Sequence, residues 1–315
     1  MRACYVFPGQ GSQYVGMGKG IYDKYESARE IFHTSNEILG FDITDLMFNG
    51  PEEELRKTIN CQPAILLVNL AYFSVLNKKI DCILTLGHSI GEYSALVASE
   101  ALSLEDAVKL VKIRAESMAK YIPAETLKQG TSHMAAVLND NPKLIDLVEK
   151  ACEKCSSYEG IDKGIVQIAN INSPSQIIIS GNNNAVIRAA EYLKNKNIKK
   201  IVYLKVEGPF HSVLMKPAAE YMEKALENIK IKKPTIPYIS NSTGGFVSEP
   251  DNIKKSLVEQ IYNPVEWKKS LETAIKNGFK TFLESGSGEK QAKLLSRDYK
   301  PPNKGLDVLV TTDYI

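Results

Sequence analysis

The residues able to do chemistry converge on one serine. Gly87-x-Ser89-x-Gly91 follows an apolar run at 82–86 that reads as a buried strand, and precedes a small-residue stretch that reads as a helix to about residue 101. Glycines on both sides let the backbone turn sharply from strand to helix, so that the serine hydroxyl projects into a cleft as a nucleophile. The helix start behind it offers free N–H groups and a positive dipole end to a developing oxyanion. The competing reading is a serine that merely caps the helix. A serine nucleophile needs a base, and the chain has four histidines. His88 points away from its neighbour on a sharp turn, His33 lies in a polar helical stretch, and His133 opens a predicted strand. His211, in the loop Gly208-Pro209-Phe210-His211-Ser212, is the candidate base, because loops after strands commonly carry functional groups.

Arg114 is the third candidate. On a predicted helix over 104–121, Leu104, Ala107, Val108, Val111, Ala115 and Met118 form one apolar stripe, while Lys109, Glu116 and Lys120 fall opposite. Arg114 borders the stripe. A guanidinium there wants a carboxylate, supplied either by an internal salt bridge or by a substrate. The early turn Pro8-Gly9-Gln10-Gly11-Ser12-Gln13 lacks the third glycine of a dinucleotide fingerprint, since position 14 is tyrosine, and no P-loop is complete, so nucleotide hydrolysis is disfavoured. That turn is placed to deliver an N–H to an oxyanion from a second strand end. Cys152-x-x-Cys155 resembles half a zinc site but has no second pair and lies inside a predicted helix, so no metal is expected.

The elements that position these residues follow an α/β pattern. Residues 3–7 read as a buried strand, with helices at 21–39 and 63–77, the latter carrying Pro63 in its first turn. Ser103-x-x-Asp106 reads as a variant capping box. Between 131 and 206 the order changes to strand (133–138), helix (143–157), strand (165–171), strand (175–180), helix (184–196), strand (200–206). That βαββαβ order is the signature of a ferredoxin-like unit. Strands near 235–240 and 280–284 then resume the first pattern. A large α/β domain, 1–130 and 207–315, with a small subdomain, 131–206, inserted in it is the economical arrangement.

Composition sets the outer bounds. At 315 residues, 43% hydrophobic and 24% charged, the chain matches one large or two ordinary globular domains. Its 39 basic and 37 acidic residues give a net charge of +2, which argues against nucleic acid as a partner. The longest apolar run, 64–76, is broken by Asn69 and Ser74 and is shorter than the ~20 residues a bilayer span takes, so no membrane is expected. Five scattered cysteines fit a reducing compartment. With no leader visible before residues 2–7, a cytoplasmic location is expected, or an organelle stroma if a transit peptide has been removed.

Several ordered motifs closely resemble the malonyl-CoA:acyl carrier protein transacylases: Phe7-Pro8-Gly9-Gln10-Gly11-Ser12-Gln13, Gly87-His88-Ser89-Ile90-Gly91-Glu92-Tyr93, Arg114 with Met118, and Pro209-Phe210-His211-Ser212-x-Leu214-Met215-Lys216-Pro217. Ala169-Asn170-x-Asn172-Ser173-Pro174-Ser175-Gln176 and Gln260-x-Tyr262-Asn263-Pro264-Val265-x-Trp267 extend the likeness over about residues 5–290. The resemblance implies an α/β-hydrolase-like core with a ferredoxin-like subdomain. It also implies that Ser89 attacks the thioester of malonyl-CoA, that His211 takes its proton, and that the N–H groups of Gln10 and Ile90 hold the oxyanion. Arg114 would pair with the malonyl carboxylate, with Met118 beside it. The Gln260 backbone carbonyl, not an acid, would orient His211. Phe210 would leave little room for a branched acyl chain. The acceptor would be the phosphopantetheine thiol of acyl carrier protein, in type II fatty acid synthesis, with no cofactor and a monomeric enzyme.

Ala115 stands where the family usually has glycine, and Ile90 where leucine is commoner. Ser132-His133 replaces small residues, Gly286-Ser287-Gly288 replaces a Gly-Pro-Gly turn, and the likeness fades beyond 290. These departures bear on fine selectivity and C-terminal packing, not on the catalytic pair. Carrier proteins are acidic, and Lys199-Lys200 beside Lys194 and Lys196 is read either as their docking point or as a solvated helix end. A polyketide synthase acyltransferase acting in trans and an acyl hydrolase are the alternative functions; Arg114 speaks against the hydrolase.

Overall fold

A computed structural model describes residues 1–124, 129–157, 163–300 and 305–315. Residues 125–128 and 158–162, which the sequence assigns to the large domain and the small subdomain, lie outside the described residues, as do 301–304. The chain opens with β1 (Arg2–Phe7), followed by α1 (Lys19–Lys24), α2 (Glu26–Leu39), α3 (Ile43–Asn49), α4 (Glu52–Arg56) and α5 (Thr58–Leu76). Next come β2 (Asp81–Gly87), α6 (Gly91–Ala98) and α7 (Leu104–Lys120). β3 (Met134–Leu138), α8 (Leu144–Cys155), β4 (Val166–Ser173), β5 (Gln176–Gly181), α9 (Asn183–Lys194) and β6 (Lys200–Tyr203) form the middle segment. The return runs through α10 (Lys216–Glu227), β7 (Tyr238–Ile239), α11 (Pro250–Gln260), α12 (Trp267–Lys276), β8 (Thr281–Glu284), α13 (Lys290–Asp298) and β9 (Asp307–Leu309).

Two sheets organise these elements. β7, β2, β1, β8 and β9 make a parallel sheet in that order. β1 is buried from Ala3 to Phe7 without alternation, as a parallel strand covered on both faces must be. β4, β5, β3 and β6 make a separate antiparallel sheet, with α8 and α9 closing its own apolar core around Val137, Val148, Ile179 and Ala189. The two units are tied by the segment before α12: Val265 N–H donates to Ala169 O at 2.8 Å, and Ile171 N–H donates to Val265 O at 3.0 Å. This is what the Val265-x-Trp267 motif does structurally.

Several expectations shift. The helix expected at 21–39 is two helices, parted at Tyr25, whose backbone is extended at φ −126° and ψ 126°. α5 begins at Thr58, so Pro63 lies inside it and not in its first turn. At 19 residues α5 is long and apolar enough to cross a membrane, contrary to the shorter run read from sequence, yet 72% of its most apolar stretch is buried inside the protein. It is the central core helix. Ser103 caps α7 as expected, its Oγ accepting from Asp106 N–H at 3.0 Å, a bond type worth about 1 kcal/mol. β6 ends at Tyr203, short of 206: Val206 N–H donates to Leu204 O at 3.0 Å in a tight turn off the ladder, and both residues line the cavity described next. β9 was not anticipated.

Candidate active site

The strand-to-helix turn after β2 has the geometry its glycines demand. A Cβ on Gly87 would sit 1.9 Å from Gly91 O, and one on Gly91 would sit 2.2 Å from Phe7 O, so neither position admits a side chain. Between them Ser89 adopts φ 52°, in the left-handed region that non-glycine residues rarely visit. Asn241, just after β7, clamps the turn: its Oδ1 accepts from Ser89 N–H at 2.7 Å and its Nδ2 donates to Gly87 O at 2.6 Å. The hydroxyl, though buried, then borders a cavity of about 520 Å³.

His211 meets it from the loop after β6, also at positive φ (57°). Its Nε2 lies 2.8 Å from Ser89 Oγ, and its Nδ1 lies 2.7 Å from the Gln260 carbonyl. A carbonyl only accepts, so Nδ1 carries the hydrogen and Nε2 presents its lone pair to the serine. Burial, and next the positive charge of Arg114, push His211 down to about 3, so the ring is neutral near pH 7. The other three histidines are engaged elsewhere. His88 Nε2 pairs with Asn172 Oδ1 at 2.8 Å, His133 Nδ1 with Gly181 O at 3.1 Å, and His33 with the Tyr22 hydroxyl at 3.3 Å.

Arg114, on α7, is 1% exposed. The sequence led to an expected carboxylate partner; the structure supplies neutral amides. Nη1 donates to Gln62 Oε1 at 2.6 Å, and Nη2 to Gln260 Oε1 at 2.8 Å and to Ser89 Oγ at 3.3 Å. Its Nε is buried without a partner among the described residues. Burial lowers the guanidinium's pKa. A buried cation held by neutral oxygens and the face of Tyr93, with only three of its five N–H groups engaged in those bonds, is poised to accept an anion.

Gln10 and Ile90 stand at the ends of β1 and β2, and among the described residues neither backbone N–H has a hydrogen-bond partner. Phe210 and Met118 line the cavity, and Met118 Sδ accepts from Gln62 Nε2 at 3.6 Å. Lys199 and Lys200 are exposed at the start of the edge strand β6 and are not part of the lining. The structure therefore brings together Ser89, His211, Gln10, Ile90, Arg114, Met118, Phe210 and Gln260, and leaves the lysine pair apart. Cys152 and Cys155 pack in the small-sheet core, and burial pushes Cys152 up to about 12. Among the described residues no cluster of three or more His, Cys, Asp or Glu is arranged to hold a metal.

Sequence reasoning missed six contributors. Gln62 was hidden in α5, although it is a polar residue beside the apolar run 64–68. Asn241 carried no signal. Glu92, the sole charged residue of α6, is fully buried, and burial pushes its carboxyl up to about 7 against several donors. Lys290, Lys293 and Arg297 of α13 line the cavity mouth, and their i, i+3, i+7 spacing on one helix face was legible.

Comparison with known proteins agrees with this layout. The model of the acyl transferase domain family matches residues 4–287. The malonyl CoA-acyl carrier protein transacylase of Bacillus subtilis (strain 168) is 40% identical over 314 residues, 99% of this chain and 94% of that protein. The crystal structure of an acyl-carrier-protein S-malonyltransferase from Bartonella henselae superposes with a TM-score of 0.88 at 36% identity, covering 99% of this chain and 95% of that one. A malonyl-transacylase solved in complex with its type II polyketide synthase acyl-carrier protein superposes with a TM-score of 0.87 at 33% identity, covering 98% and 94%. The chain belongs to the malonyl-CoA:acyl carrier protein transacylase family of acyl transferases.

Proposed function

We propose that this protein transfers malonyl from malonyl-CoA to the phosphopantetheine thiol of acyl carrier protein by way of a malonyl-serine. The observation that carries this reading is the convergence on Ser89 Oγ of His211 Nε2 at 2.8 Å and Arg114 Nη2 at 3.3 Å: a base for the hydroxyl and a cation for an acid-bearing acyl group, at one atom. His211 takes the Ser89 proton as Oγ bonds to the thioester carbon. The Gln10 and Ile90 N–H groups receive the oxyanion. Collapse breaks the C–S bond, and the CoA thiolate leaves with the proton from His211 Nε2. The carrier thiol then gives its proton to His211 and attacks the ester, and Ser89 recovers the proton as it leaves. The Gln260 carbonyl stabilises the imidazolium in place of an acid.

The malonyl carboxylate pairs with Arg114, whose charge otherwise holds His211 down. Neutralising that charge raises the basicity of His211 when a malonyl group arrives. Phe210 narrows the acyl pocket against branched chains. The basic face of Lys290, Lys293 and Arg297 at the mouth suits the phosphates of CoA and of the carrier's prosthetic group. Lys199 and Lys200 are read as a contact for the acidic carrier. In fold terms, the strand order β4-β5-β3-β6 with its βαββαβ connection supports a ferredoxin-like subdomain at 131–206, inserted in an α/β-hydrolase-like core at 1–130 and 207–315. A polyketide carrier as acceptor is the second reading, favoured by the type II polyketide complex among the structural relatives.

The test is malonyl transfer followed by mass spectrometry of a holo acyl carrier protein. Appearance of malonyl-carrier at a rate well above the release of free malonate is expected. Release to water as fast as to the carrier would make the protein a hydrolase. Comparing fatty acid and polyketide carriers by kcat/KM separates the two pathways.

A further inference from the structure

Glu92 is a fully buried carboxylate that no step above uses. Its Oε1 accepts from the Tyr238 hydroxyl and from Asn241 N–H, the latter at 2.9 Å, and its Oε2 accepts from the Gln260 side-chain amide. The Asn241 and Gln260 N–H groups can only donate and the Tyr238 hydroxyl donates here, so both carboxyl oxygens are held as acceptors. Gln260 Nε2 also donates to Ser89 O at 2.9 Å, while Gln260 Oε1 accepts from Arg114 Nη2 at 2.8 Å. The two ends of that amide have nearly the same shape and opposite chemistry. Turned over, its oxygen would meet the Glu92 carboxylate and a carbonyl, and its NH2 would meet the guanidinium, leaving acceptor against acceptor and donor against donor.

We propose that Glu92 is a positioning residue, which fixes the Gln260 amide with its oxygen towards Arg114 and so sets the face that Arg114 offers to the substrate carboxylate. The inference rests on reading Arg114 as the malonyl clamp. The same carboxylate holds the backbone of Asn241, whose side chain clamps the Ser89 turn. The neutral amide between Glu92 and Arg114 matters: it keeps the acid from pairing with Arg114 directly, which would set it in competition with the substrate.

Glu92→Gln tests this with little change of shape. Its Oε1 continues to accept from Tyr238 and Asn241, but an NH2 now faces Gln260, which gains by turning over. Two rates are read on the purified full chain: malonyl-enzyme formation against malonyl-CoA concentration, and labelling of Ser89 by a small uncharged fluorophosphonate, which reports the Ser89–His211 pair with no carboxylate for Arg114 to bind. Glu92→Gln should raise half-saturating malonyl-CoA about tenfold, as loss of a hydrogen bond to a charged group implies, and leave the labelling rate within about threefold. Equal losses in both, or no change in either, overturn the proposal. Glu92→Asp keeps the charge but draws the carboxylate back from the Gln260 amide, and should give the same split at smaller size; it decides the matter if Glu92→Gln fails to fold. Arg114→Ala is run alongside. A rise in half-saturating malonyl-CoA there without one in the two Glu92 variants rejects this inference alone, whereas no rise in Arg114→Ala rejects the clamp and the inference with it.

Discussion

The floor of the cavity and its mouth are built differently. At the floor Ser89 and Glu92 of one turn, Arg114, His211 and Gln260 are all buried, come from four separate segments, and are cross-bonded by amides and backbone groups. At the mouth Lys293 and Arg297 sit on one helix in partly exposed ion pairs with Glu289 and Asp298. Such exposed pairs contribute ~0–1 kcal/mol each. A buried network fixes one geometry, because each unmade bond is expensive; an exposed charge fixes none and acts by attraction at a distance. Substitutions at the floor should therefore change the chemical step and the acyl group accepted, and substitutions outside it should change encounter with the carrier.

The largest break expected is His211→Ala, which should slow malonyl-enzyme formation by ~10³-fold with the fold retained, since a positioned base contributes ~10²–10⁴. A loss below tenfold, measured by rapid quench, would remove His211 from the role of base. Arg114→Ala should lower kcat/KM for malonyl-CoA by ~10²-fold relative to acetyl-CoA, because both lose the contact to Ser89 Oγ but only the charged acyl group loses its partner. Competition between the two thioesters reads this directly, and equal losses would contradict it. Phe210→Ala should improve the use of methylmalonyl-CoA relative to malonyl-CoA by roughly tenfold, the scale of one methyl group in an apolar pocket. The smallest effect belongs outside the floor: Lys199→Glu with Lys200→Glu should raise KM for carrier protein about threefold to tenfold and leave KM for malonyl-CoA alone. Equal effects on both substrates would erase the proposed division of labour.

The floor also has a signature in pH. His211 is held down to about 3 in the empty site, from an ordinary 6.5, by burial first and the Arg114 charge second. Lowering the pH from 7 to 5 therefore leaves it neutral, and fluorophosphonate labelling of Ser89 should change less than about twofold over that range. A fall centred near 6.5 would show an ordinary, solvated histidine instead.

What was legible in the sequence follows the same division. The Gly87-x-Ser89-x-Gly91 turn could be read because a Cβ at either glycine would come within 2.5 Å of backbone oxygen, a constraint that leaves a mark on residue type. His211 followed from a serine in need of a base. The βαββαβ order was visible because each element alternates or repeats with its own period. The roles of Gln62, Asn241 and Glu92 were not read, because their partners lie 52 to 168 residues away and a buried polar group looks like a surface one until its surroundings are known. Glu92 did carry a trace, a lone charge in an otherwise uncharged α6. β9 is three half-buried residues at a sheet edge, too short for a pattern.

The most direct test is the intact mass of the wild type and of Ser89→Ala after brief incubation with malonyl-CoA, followed by peptide mapping. Wild type should gain one malonyl group, mapped to Ser89 and lost on addition of holo carrier protein, while Ser89→Ala should stay unmodified. An adduct that persists in Ser89→Ala, or that maps to another residue, would contradict a malonyl-serine at this turn.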